Sequence, residues 1–269
     1  MPITHASGTK VHYAITGNGP GLVLVHGTSL DAATNYGHMV EHLAHDRTVI
    51  APDYAGSGST TAPPGDLTLD LLVDQVAAAA RDGAEGPVDL VGFSLGAIVA
   101  AAVAARHPGL VRRLVLIAGW THSEDPRLRL GLRVWGEVMD TAPDLASAVA
   151  PLLAFSPAFL SGLGSEGLAE LRSGKPAPGT RRQIDLDLRI DIRDELPRIT
   201  APTLVIGCAL DHLIPVENAR ALHEAITTSD YMEIESGHVV VFEKPMELIH
   251  TIRAFLDAGT GGGGHLASE

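Results

Sequence analysis

Val88-Asp89-Leu90-Val91-Gly92-Phe93-Ser94-Leu95-Gly96 decides the reading of this sequence. Residues 88–91 are apolar and β-branched enough to form a strand buried on both faces. The G-x-S-x-G that follows, and the alanine-rich run 95–106 after it, turn that strand into a helix within a few residues. A turn that sharp needs small residues beside the serine, because side chains at Gly92 and Gly96 would strike neighbouring backbone. Ser94 is thereby projected into a cleft and set at a helix N-terminus, whose dipole favours developing negative charge. The competing reading is a plain serine in a strand-to-helix turn, and the context on both sides weighs against it.

Outward from this stretch the buried-strand pattern recurs at 21–25, 48–51, 114–118 and 203–206. Helical patterns fill most of the gaps. Residues 66–80 begin with an acid and carry Leu69, Leu72, Val73 and Val76 at helical spacing, and 95–106 stops at His107-Pro108-Gly109. Strand, helix and strand in alternation give an α/β class with a mostly parallel central sheet flanked by helices. Residues 3–5 and 11–15 around Ser7-Gly8-Thr9 read as an N-terminal hairpin.

Between 120 and 197 the rhythm breaks. No clear strand is present, and apolar helical fragments carry Trp135, Leu152, Leu153, Phe155 and Phe159 before a Gly/Pro-rich turn at 174–179. The expected organisation is a core of residues 1–119 and 198–258 with a helical cap inserted at 120–197. Within the cap, 184–192 alternates apolar and charged residues as a strand would, while its place among helices favours helix. The four-glycine run makes 259–269 a flexible tail.

A chain of 269 residues with 45% hydrophobic content can bury one large core. The single cysteine, Cys208, cannot form an internal bridge and is expected to pack as a small apolar residue, so a cytoplasmic location is the default. The start of the chain lacks a signal-peptide pattern, and no apolar run approaches the roughly 20 residues of a membrane span. A formal charge of −13 repels nucleic acid and anionic membranes, which leaves a small-molecule substrate as the expected partner.

A serine hydroxyl needs a base, and the base needs a group that fixes its tautomer. Residues 203–212 place Asp211 just beyond a strand end, followed by Ile214-Pro215 opening a helix. Residues 233–238 place His238 in a loop after another short strand. The order Ser, Asp, His is that of α/β hydrolases and differs from the chymotrypsin and subtilisin orders.

With these pieces in place the chain resembles the α/β-hydrolase fold superfamily, in its small esterase, perhydrolase and lactonase-like branches. Besides the serine turn, the matching segments are Val25-His26-Gly27, residues 52–59, the strand 201–206 leading to Asp211, and Ser236-Gly237-His238. The resemblance implies that Ser94 is the nucleophile, His238 the general base and Asp211 the orienting acid. It also implies that the backbone N–H groups of Thr28 and Leu95 form the oxyanion hole. Phe93 and Leu95 flank the nucleophile; Phe93, Trp120 and Trp135 are the expected substrate contacts. No metal or organic cofactor is required by this chemistry.

Other residues have plainer readings. His26 packs beneath its loop, and His212 adjoins the acid without a second role. Asp53 is an alternative acid whose glycine-rich surroundings fit a structural turn. His38, Glu41 and His42 spell an inverted zinc pattern, extended by His45, but lack a third ligand and fit a solvated helix face. Residues 56–59 lack the lysine of a phosphate loop. The expected reaction is hydrolysis of a small to medium hydrophobic ester, lactone or thioester through an acyl-enzyme. Carbon–carbon bond hydrolases and cofactor-free perhydrolases use the same triad and stay open, as does a non-hydrolytic receptor or cyclase on the same fold.

Overall fold

The computed structural model describes residues 1–174 and 176–258, so the expected tail at 259–269 lies outside the described residues. The N-terminal hairpin joins β1 (Ile3–Ala6) to β2 (Thr9–Thr16) through Ser7 and Gly8, with φ of 46° and 75°. Two consecutive positive φ angles are the hairpin geometry that follows strand twist. The remaining strands are β3 (Gly21–Val25), β4 (Thr48–Pro52), β5 (Val88–Phe93), β6 (Val111–Ile117), β7 (Thr203–Cys208) and β8 (Ser229–Ile234). Among the described residues they form one sheet in the order β1-β2-β4-β3-β5-β6-β7-β8. The β1/β2 and β2/β4 pairs are antiparallel and all others parallel.

Helices α1 (Ala32–Leu43), α2 (Leu69–Gly83) and α3 (Leu95–Arg106) follow β3, β4 and β5. The inner strands are apolar on both sides because each face is covered. Val23, Val25, Leu90 and Leu114 pack with α2 and α3, while their chain neighbours Leu22, Leu24, Val91 and Val115 pack with α1 on the other face. Helix α2 starts later than the acidic residue at 66 implies. Thr68 caps it by accepting from the Leu71 amide at 3.2 Å, and Asp66 instead pairs with Arg189 at 3.0 Å.

Between β6 and β7 lie α4 (Pro126–Thr141), α5 (Pro143–Ala154), α6 (Pro157–Gly162), α7 (Gly164–Ser173) and α8 (Thr180–Asp187). Three of these begin with proline in the first turn, where a missing N–H costs nothing. Asp125 and Ser156 cap α4 and α6 by accepting from Leu128 and Phe159 amides. The stretch 184–192 is helical only to Asp187. Beyond it the chain extends to an antiparallel bridge between His122 and Asp191, so the alternating pattern belongs to an extended segment as well as a helix end. Helices α9 (Val216–Ala225), α10 (Val240–Glu243) and α11 (Pro245–Asp257) follow in the rest of the described residues, α11 packing against α1.

This topology fixes where a site can form. The chain leaves β3 for a helix on one face and β5 for a helix on the other, so a crevice opens at the carboxyl ends of these adjacent strands. Thr28 follows β3, and Ser94 follows β5.

Candidate active site

Ser94 caps α3 with φ 56° and ψ −123°, a conformation that a residue with a side chain rarely adopts. Two things hold it there. Its amide donates to the Ile117 carbonyl at 2.9 Å, and the flanking glycines leave no room for relaxation. A Cβ at Gly92 would stand 2.2 Å from the Gly96 carbonyl oxygen, and one at Gly96 would stand 2.1 Å from that of Val25. The two glycines are therefore required by rigid backbone, as the sharpness of the turn implies.

The side chains at 94, 211 and 238 meet. His238 Nε2 lies 2.9 Å from Ser94 Oγ, and His238 Nδ1 lies 2.6 Å from Asp211 Oδ2. All three are buried, with 7%, 5% and 3% exposure for Ser94, Asp211 and His238. Asp211 is oriented by its own loop: Oδ1 accepts from the amides of Leu213 at 2.8 Å and Ile214 at 2.7 Å, which frees Oδ2 for the imidazole. Neither Asp53 nor Glu235 takes that place. Asp53 Oδ1 accepts from the Ala32 amide at 2.9 Å, a structural contact at the start of α1.

Ser94 and His238 open into a cavity of about 160 Å³ whose walls include Thr28, Phe93, Trp135, Leu153, Phe155 and Leu213. Among the described residues no Asp, Glu, Lys or Arg lines it. A larger open depression of about 430 Å³, around Asp66, Leu186 and Arg189, includes among the described residues no serine, cysteine or histidine in its lining. Thr28 lies in the turn after β3, and among the described residues its amide donates to no protein acceptor, whereas the preceding Gly27 amide is taken by Asn35 Oδ1 at 3.0 Å. Leu95 begins α3, in the turn whose amides have no intrahelical partner.

Of the expected substrate contacts, Phe93 and Trp135 line the cavity and Trp120 does not. Trp120 is 1% exposed and sits in the core, its indole N–H donating to Ser123 Oγ at 3.0 Å. The core supplies what a buried indole needs, apolar packing for the ring and Ser123 Oγ as acceptor for its N–H. Leu153, Phe155, Leu213 and Val239 take part in the lining instead. Nothing in their local sequence marks them, because they come from three separate segments.

The remaining candidates settle elsewhere. His26 is fully buried, stacks on Tyr54 at 3.9 Å and contacts its own loop through Nδ1 and the Gly27 carbonyl; burial pushes its pKa down, which favours the neutral ring. His212 lies against Arg127 on the surface. His38 Nε2 is 2.7 Å from the Val241 carbonyl, and no cluster of three or more metal-ligating side chains occurs among the described residues. Cys208 is buried with its thiol toward the His238 carbonyl at 3.8 Å, and burial raises its pKa. Among the described residues no helix is long and apolar enough to cross a membrane. Two polar residues unmarked by the sequence reading touch the loop after β3: Gln183 and Asp187, both on α8.

The chain has counterparts among known proteins. The chain is 41% identical over 251 residues to pyrrolizixenacetamide deacetylase of Xenorhabdus hominickii, covering 92% of this chain and 94% of that one. It is 31% identical, over an alignment of 277 positions, to 2-hydroxy-6-oxo-2,4-heptadienoate hydrolase of Pseudomonas putida, covering 94% and 95%. The crystal structure of the enol-lactonase from Burkholderia xenovorans superposes with a TM-score of 0.83 at 26% identity, covering 95% and 99%. A sequence profile of the Alpha/beta hydrolase family matches residues 22–251. With that match spanning most of the chain, this protein belongs to the alpha/beta hydrolase family and is a hydrolase.

Proposed function

We propose that this hydrolase transfers a small, neutral acyl group from an ester or amide to Ser94 and then to water. The observation that carries the reading is the continuous relay from Ser94 Oγ through His238 to Asp211, at 2.9 and 2.6 Å. His238 Nε2 takes the hydroxyl proton as Ser94 attacks the acyl carbon. The carbonyl oxygen becomes an oxyanion held by the Thr28 and Leu95 amides, and one such donor lowers the barrier by about 3–4 kcal/mol. His238 then protonates the departing oxygen or nitrogen. Water, deprotonated by the same imidazole, attacks the acyl-serine and releases the acid.

Size and polarity of the cavity support the choice of acyl group. An apolar cavity of about 150 Å³ holds a molecule the size of benzene. The cavity beside Ser94, about 160 Å³, thus accommodates a short acyl chain or one ring. Among the described residues the lining holds no Lys or Arg to pair with a carboxylate, in keeping with a neutral acyl group. The relative from Xenorhabdus hominickii is, by its name, a deacetylase of an acetamide, in keeping with a small acyl group and widening the class from esters to amides.

A fluorophosphonate probe and an acyl-length series test this together. The probe should label the wild-type protein and leave Ser94→Ala unlabelled. Among p-nitrophenyl esters, acetate and butanoate should exceed decanoate in kcat/KM, with acetanilide hydrolysed more slowly. Equal labelling of Ser94→Ala, or decanoate as the best ester, would overturn the reading.

A further inference from the structure

Helix α8 reaches across to the loop after β3 with two side chains one helical turn apart. Gln183 accepts from the Ser29 amide through Oε1 at 2.9 Å and donates through Nε2 to Ser57 Oγ at 2.9 Å. Asp187 Oδ2 accepts from the Thr28 hydroxyl at 2.7 Å. Just ahead of the helix, the Ala177 amide donates to the Ser29 carbonyl at 3.3 Å. Gln183 and Asp187 are 0% and 1% exposed. They sit 154 and 159 residues along the chain from the serine and threonine they hold.

The loop needs such holding. Ser29 has φ 71°, in the left-handed region where a side chain is strained, and such a conformation persists only when its surroundings impose it. Asp187 also places a carboxyl in the interior with Oδ1 lacking any hydrogen-bond partner among the described residues. An aliphatic side chain there would avoid that desolvation. What the carboxyl supplies instead is an acceptor for Thr28. Its main-chain carbonyl accepts from Ser123 Oγ, and Ser123 in turn receives the Trp120 indole N–H, so the end of α8 is itself anchored to the segment after β6.

We propose that Gln183 and Asp187 are positioning residues that hold the Thr28–Ser29 turn with the Thr28 amide presented to the developing oxyanion. The inserted helices then contribute to acyl transfer itself, in addition to walling the cavity. This inference rests on the assignment of Thr28 as an oxyanion donor made under the proposed function.

The test compares kcat and KM for p-nitrophenyl acetate with inhibition by methylboronic acid, whose tetrahedral adduct on Ser94 places an oxygen at the oxyanion position. Removal of one oxyanion donor costs about 100- to 1000-fold in kcat, so displacing it through a neighbour should cost about 10- to 100-fold. Asp187→Ala and Gln183→Leu should lose about that factor in kcat and in boronate affinity, with KM held within about threefold. Asp187→Asn keeps an oxygen acceptor for the Thr28 hydroxyl and should retain kcat within about threefold of wild type. If Asp187→Ala fails to fold, Thr28→Val breaks the same bond from the loop side without changing side-chain shape, and should show the same loss. Unchanged kcat and boronate affinity in Thr28→Val and Asp187→Ala, or a change in KM alone, would overturn the proposal. A turnover that survives Ser94→Ala would remove the acyl-serine reading as well, whereas Ser94-dependent turnover indifferent to α8 would remove only this inference.

Discussion

Asp211 and Asp187 are both buried carboxyls, and their partners give them opposite characters. Asp211 accepts two amide N–H bonds on Oδ1 and faces His238 with Oδ2, so both oxygens are engaged. An amide side chain there would present a donor or the wrong acceptor to the imidazole and favour the unproductive tautomer. Asp211→Asn should therefore lower kcat by about four orders of magnitude with the fold intact, as read by steady-state kinetics alongside circular dichroism. Asp187 has one hydroxyl partner and no cation, and burial pushes its pKa up to about 7. The titratable group that responds to its charge is Tyr54, whose own pKa it helps raise. A carboxyl whose folded pKa exceeds its unfolded value of about 3.9 leaves stability intact below that value and erodes it as pH rises toward the folded pKa. Wild type should lose stability relative to Asp187→Asn between about pH 4 and 7, by on the order of 4 kcal/mol, and the gap should level off above that range. Thermal melts of both proteins across pH 4 to 8 read this directly, and a pH-independent gap would contradict it.

At the scale of elements, the strand-turn-helix at β5 and α3 was legible because its signature is local. Buried strand, two glycines and an alanine-rich helix stand within 20 contiguous residues, and a Cβ at Gly92 would strike the Gly96 carbonyl within that stretch, although the clash at Gly96 is with Val25 on β3. The helix start at α2 was misplaced because Asp66 and Thr68 both suit a cap. Asp66 pairs with Arg189, just beyond α8, and Thr68 takes the cap. Trp120 shows the same limit, since its indole is held in the core by Ser123, whose hydroxyl is in turn fixed by the Asp187 carbonyl 64 residues further on. Trp135, by contrast, projects from α4 into the cavity wall. Trp135→Ala should enlarge the acyl pocket, raising the decanoate-to-acetate ratio of kcat/KM by about tenfold, since each buried methylene is worth about 0.8 kcal/mol. The same change should cost about 3 kcal/mol of stability, measured by chemical denaturation.

Across the whole molecule the two edges of the sheet divide the work. The carboxyl edge carries Ser94, Asp211, His238 and Thr28, while the start of β5 buries an ionic cluster. Asp89, fully buried, receives Arg47 at 2.7 Å and Arg112 at 2.5 Å, and Arg47 also contacts Asp257 on α11. Asp89 and Ser94 are separated by five residues of extended chain, roughly 16 Å at 3.3 Å per residue. Asp89→Ala leaves a buried guanidinium without its central partner and should destabilise the fold by about 3–5 kcal/mol. At a temperature where the variant is folded, its kcat should match wild type, and a proportional loss of kcat would show that the two edges are coupled.

The sequence by itself determined the α/β class, the serine turn, and the chain order of serine, acid and histidine. These follow from strand and helix periodicity and from turns whose constraints lie within a few residues. The tertiary structure alone decided which side chains wall the cavity and that α8 grips the loop after β3. Contacts between segments more than a hundred residues apart depend on how packed elements meet in space, and no local pattern of residues records that meeting.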